Sequence, residues 1–109
     1  MSDITTNHER LTVINVFTVA PGNQARLVGL LVQATAEVMR FLTGFISANI
    51  HQSDDGTRVV NYAQWRSRAD FEAMMKNPEA QKHMRAVTTI AKADPHWYRV
   101  SEVIEANAA

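Results

Sequence analysis

A chain of 109 residues, 46% of them hydrophobic, is long enough to bury the core of one domain and too short for a second, so residues 1–109 are read as a single unit with an ordered core over about 10–105. Its 11 Lys and Arg balance 11 Asp and Glu without a basic run, which excludes the electrostatic footprint of a nucleic-acid or membrane-surface binder. Cysteine is absent, which excludes disulfides, thiolate nucleophiles and cysteine-ligated metal or iron–sulfur sites together.

The opening residues, MSDITTNHER, are polar and carry no signal-peptide pattern, and every apolar run is broken before bilayer length. A cytoplasmic protein without a membrane span is expected. Leu11 to Val19, LTVINVFTV, is β-branched and aromatic and reads as the first strand, with Leu11, Val13, Asn15, Phe17 and Val19 on one face. Pro21 and Gly22 end it. Leu27, Leu30, Leu31, Ala34, Val38, Phe41 and Leu42 then recur at helical spacing, which predicts an amphipathic helix over 24–42, closed by Gly44. Phe45 to Ser53 reads as the second strand, and Asp54-Asp55-Gly56 as a hairpin turn into the third.

The third strand, within TRVVNYAQWRSRADF, places Val59, Asn61, Ala63 and Trp65 on one face. An amide among apolar neighbours loses ~1 to 3 kcal/mol unless something hydrogen-bonds it. Two readings are open: a core Asn tied to a loop carbonyl beside a core Trp, which is the ordinary one for a strand alone, or the floor of a cavity for a flat, oxygen-bearing molecule. After Trp65 the period lengthens. Ser67 caps a short helix over 68–76 with Phe71, Met74 and Met75 inward, and Asn77-Pro78 opens another over 78–93 with Ala80, Met84, Val87 and Ala91 buried. Asp94-Pro95 stops it, and His96 to Glu105 reads as the fourth strand.

The order β-α-β-β-α-β with right-handed crossovers predicts an α+β, ferredoxin-like fold, a four-stranded antiparallel sheet with helices on one face. Ile14, Val16, Val60, Tyr62, Tyr98, Val100 and Ile104 would then lie on the bare face. A patch of that size predicts a homodimer packed through the open sheet face.

The segment GFISANIHQSDDGTRVVNYAQWRSRADF resembles the antibiotic biosynthesis monooxygenase family, and within it the small anthrone oxygenases of aromatic polyketide pathways. The run NYAQW followed by Ser and an aromatic carries most of the resemblance, which continues more weakly over 11–104. It implies a dimeric α+β barrel with a pocket between sheet and helices. It also implies oxidation of an enolisable aromatic, anthrone- or hydroquinone-like, to a quinone by dioxygen, with no flavin, haem or metal.

Carried over by position, the family's catalytic amide and indole fall on Asn61 and Trp65, its pocket histidine on His51 and its helix arginine on Arg85. Asn15, Phe17 and Phe71 are the expected substrate-binding residues; Phe71 stands where a tyrosine is common, so one hydroxyl is missing. Removing a proton beside an enolisable ketone requires a base and donors aimed at the developing oxyanion. Asn61, Asn15 and the Trp65 indole are suitable donors, and the His51 imidazole is the residue type suited to serve as the base. His51 faces the pocket if a three-residue Asp54-Asp55-Gly56 turn pairs it with Val59, the expected register; a two-residue turn would pair Ile50 with Asn61 and turn it away. Arg85 lies off its helix's apolar stripe, so a solvated charge and an oxyanion partner are both open.

The residues themselves also predict that no cofactor is bound. Four scattered His, no Cys and no carboxylates among the pocket positions do not converge as metal ligands, and Pro21-Gly22-Asn23 is too short and glycine-poor for a phosphate-binding turn. Two alternatives stand beside the oxygenase: a module that binds a small aromatic metabolite without chemistry, and a haem-degrading enzyme of the same superfamily with His83 as axial ligand. Neither His8 nor His96 has partners that suggest a site.

Overall fold

The computed structural model describes residues 10–107; His8 lies outside them. Four strands, β1 (Leu11–Val19), β2 (Phe45–Gln52), β3 (Arg58–Trp65) and β4 (Ala91–Tyr98), form one antiparallel sheet in the order β2-β3-β1-β4. Three helices, α1 (Gln24–Glu37), α2 (Arg68–Met75) and α3 (Pro78–Thr88), supply the crossovers, so the fold is the ferredoxin-like α+β arrangement expected from the sequence. Sheet and helices meet in a core of Phe17, Val19, Leu27, Leu31, Val59 and Val87. Truncating one of its large side chains would cost about 2 to 5 kcal/mol.

The entry to α2 is fixed by side-chain chemistry. Ser67 Oγ accepts from the Asp70 N–H at 3.2 Å and donates to Asp70 Oδ2 at 2.9 Å, while Arg66 grips the same carboxylate through Nε at 2.8 Å and Nη2 at 3.0 Å. The Arg66 guanidinium, with Ser67, holds the Asp70 pKa below the usual carboxylate value. Gly44, at φ +84°, makes room for this cluster, because a Cβ there would collide with the Asp70 carboxylate.

Three sequence expectations change. The first helix ends at Glu37, not Leu42: Val38 departs from helical geometry at φ −127° and a 3-10 turn, Met39–Phe41, follows. That turn buries Met39 and leaves Phe41, expected inside, 73% exposed. The last helix ends at Thr88, short of 93, because the β-branched run Thr88, Thr89, Ile90 loses side-chain freedom in a helix. The fourth strand therefore starts at Ala91, ends at Tyr98 and contains Pro95, whose missing N–H is tolerable because β4 is an edge. Val100 and Ile104, expected on the open sheet face, lie beyond that strand. Val100 sits over a shallow hollow with Thr12, Ile14 and Tyr62, and Ile104 is 87% exposed.

The third change is the hairpin. Asp55 Oδ1 accepts from Ser53 Oγ (2.7 Å), Thr57 N (3.0 Å) and Thr57 Oγ1 (2.7 Å), which draws Thr57 into the turn. The ladder closes with Ser53 N donating to Arg58 O, so the loop holds four residues instead of three. A four-residue loop has the parity of a two-residue one, and Ile50 pairs with Asn61 and His51 with Val60. His51 is therefore exposed and turned to the face opposite Asn61, the reverse of the expected orientation.

Candidate active site

Alternation brings Val13, Asn15 and Phe17 of β1 and Asn61, Ala63 and Trp65 of β3 to the helix side of the sheet, where they floor a cavity of about 330 Å³. Phe71, Met74 and Met75 of α2 close one wall, Ala80, Gln81 and Met84 of α3 another, and Leu31, Ala34 and Thr35 of α1 a third. The volume lies within the range of small-molecule sites, roughly 300–1,000 Å³. Five of the seven residues singled out from the sequence, Asn15, Phe17, Asn61, Trp65 and Phe71, line this one space. His51 and Arg85 do not, and both are exposed.

Trp65 is 2% exposed and held by edge contacts with Phe45 at 5.4 Å and Phe71 at 6.1 Å between centroids. Phe71 in turn meets Trp97 of β4 edge-on at 6.2 Å. An apolar wall of fixed rings results, suited to a planar aromatic.

The polar groups on it are few. Asn15 and Asn61 are directly opposite each other across β1 and β3. Asn15 Oδ1 accepts the Asp94 N–H at 3.1 Å, which leaves its NH2 as the free end. Asn61 Oδ1 is buried with no hydrogen-bond partner. Thr35 and Gln81 have spent a donor each, on Leu31 O at 2.9 Å and Met75 O at 3.0 Å. No carboxylate, imidazole, ammonium or guanidinium is part of the lining among the described residues.

His83 is also outside the lining; its Nε2 lies 3.9 Å from Glu37 Oε2. No group of three or more His, Cys, Asp or Glu able to hold a metal ion occurs among the described residues. What the arrangement can do is hold a flat ring system and aim neutral amides at its oxygens.

Sequence reasoning missed Ala93, Pro95 and Trp97, which form the β4 wall at alternate positions. The alternation was there to be found, but it starts inside the stretch read as helix. Met39 and Ala48 were missed as well: the first depends on the break at Val38, and the second follows from the β2 register with Ala63.

Residues 10–86 match the family described as antibiotic biosynthesis monooxygenase. Tetracenomycin-F1 monooxygenase of Streptomyces glaucescens is 43% identical over 101 residues, 93% of this chain and 90% of that protein. Among solved structures, the ActVA-Orf6 monooxygenase of Streptomyces coelicolor, in complex with nanaomycin D, superposes with a TM-score of 0.86 at 26% identity, over 97% of this chain and all of that one. SnoaB from Streptomyces nogalater, a cofactor-independent oxygenase, shares the fold at a TM-score of 0.81 and 18% identity for its N63A mutant, covering 88% and 97% of the two chains.

Proposed function

The chain belongs to the antibiotic biosynthesis monooxygenase family, and from that premise we propose that it oxidises an enolisable aromatic, anthrone- or hydroquinone-like, to a quinone with dioxygen and no cofactor. The observation that carries the reading is the apolar cavity with the paired Asn15 and Asn61 on its floor, where the Asn15 oxygen already accepts the Asp94 N–H and its NH2 is the end left to donate.

For an anthrone the chemistry balances without an external reductant. The ring methylene loses a proton, and the enolate so formed passes one electron to dioxygen. The two radicals combine into a C–O bond, and loss of water from the peroxide leaves the new carbonyl. One oxygen atom enters the quinone and the other leaves as water, with all electrons drawn from the substrate. Trp65 and the rings around it hold the substrate plane. Asn15 and Asn61 hydrogen-bond the oxygen on which negative charge develops, in a site where the apolar walls strengthen that interaction. With no basic side chain in the described lining, the proton leaves to water.

The test is oxygen uptake by chelator-treated, colourless protein given an anthrone. Stoichiometric quinone supports the proposal; a requirement for iron, copper, flavin or haem overturns it. Tight binding without oxygen uptake across anthrones and hydroquinones would make the protein a capture module instead.

The sheet face turned away from the helices supports assembly as a homodimer. Ile14, Val16, Val60 and Tyr62 are only partly covered there, and Tyr98 is 47% exposed. Packing two such faces would bury them. A monomer by light scattering at micromolar concentration would refute it.

A further inference from the structure

The cavity lining carries no charge, yet one of its walls is capped by one. Trp97 lines the cavity and is still 40% exposed, so it sits at the rim, as do the exposed lining residues Met75 and Gln81. The Arg68 guanidinium lies over the Trp97 ring, with Cζ 5.4 Å from the ring centroid. Arg68, Phe71 and Met75 are three and four residues apart on α2 and share one stripe. Phe71 and Met75 line the cavity, and Arg68 continues their row at the end of the helix that opens it.

We propose that Arg68, held over Trp97 at the rim, binds an anionic substituent, a carboxylate, on the outer edge of the aromatic substrate. Its side chain is 60% exposed, and its described ion pair is a single Nε contact to Glu72 Oε1 at 3.4 Å, long for a charge-assisted bond. The two Nη groups are not used in that pair. A guanidinium over an aromatic face is attracted by the ring without spending its N–H donors, and its Nη pair forms a fork that matches a carboxylate. The neighbouring Asp70 does not compete, because Arg66 already holds both its oxygens. A substrate filling the cavity against Phe71 and Trp97 would bring its outward edge beneath Arg68. The apolar interior selects the ring system, and Arg68 selects which ring systems are acids.

This inference rests on the cavity being the substrate site, and the experiment separates the two. Wild type, Arg68→Gln and Arg68→Lys are compared on an anthrone carboxylic acid and its methyl ester, by oxygen uptake and by quenching of tryptophan fluorescence under anaerobic conditions. The expected result is that wild type prefers the acid. Arg68→Gln raises KM and Kd for the acid about 10- to 100-fold, leaves kcat and the ester unchanged, and removes the dependence of acid binding on ionic strength. Arg68→Lys falls between, since it keeps the charge and loses the fork. Equal binding of acid and ester by wild type, or an equal loss of both in Arg68→Gln, overturns the proposal. Arg68-dependent binding of the acid without oxygen uptake would uphold it while refuting the proposed oxidation.

Discussion

Asn15 and Asn61 occupy paired positions on adjacent strands, but only Asn15 has its amide oxygen engaged, by the Asp94 N–H of the edge strand. The two amides are therefore not equivalent. Asn15 is held as a donor by the fold, whereas nothing in the described structure fixes the oxygen of Asn61.

For Asn61 the expectation is a loss of activity without a loss of stability. Asn61→Ala removes an unsatisfied buried acceptor, so the melting temperature should hold or rise; it also removes the proposed NH2 donor, so kcat should fall about 100- to 1,000-fold. Oxygen uptake and a thermal melt on the same sample measure both. A melting temperature lowered as by a core deletion would show that the amide serves the fold. Asn15→Asp, which keeps an acceptor for the Asp94 N–H but replaces the free donor by a carboxylate oxygen, should impair turnover by a comparable factor.

Two substitutions separate the packing of Trp65 from its proposed contact with substrate. Trp65→Ala empties a site packed by Phe45 and Phe71 and should cost about 3 to 5 kcal/mol in chemical denaturation. Trp65→Phe keeps the packing approximately and removes the indole N–H and part of the ring surface, so it should stay folded and bind aromatic ligands more weakly. If Trp65→Phe bound and turned over substrate like wild type, the indole would be a core group only.

The positions of His51 and Arg85 predict that neither is the base or the oxyanion partner. His51→Ala and Arg85→Ala should leave kcat and its pH dependence unchanged, since both side chains are exposed and outside the cavity lining. Disappearance of an inflection near neutral pH in His51→Ala would place a base where this geometry has none.

Asp55 predicts the acid end of the stability curve. Hydrogen bonds from Thr57 and Ser53 lower its pKa from 3.8 to about 2. A pKa depressed by folding contributes stability that is fully present above 3.8 and is lost as the pH falls through about 2. Asp55→Asn should melt below wild type at neutral pH, and the gap should narrow between pH 4 and pH 2. A gap independent of pH would mean that the charge contributes nothing.

What the sequence determined by itself was whatever a local period or capping pattern could express. The alternation in LTVINVFTV and RVVNYAQW put Asn15, Phe17, Asn61 and Trp65 on one sheet face, and Ser67 and Asn77-Pro78 marked two helix starts, all of which the structure reproduces. Tertiary structure decided what depended on parity and on edges. His51 turned outward because the Asp55 side chain recruited one more residue into a turn, and a strand's facing inverts with a single residue. Trp97 entered the cavity because Pro95 could be placed on an edge strand, a position that only the assembled sheet defines. The orphaned oxygen of Asn61 is of the same kind. Hydrogen-bond satisfaction is a property of everything packed around an atom, and no pattern along the chain records it.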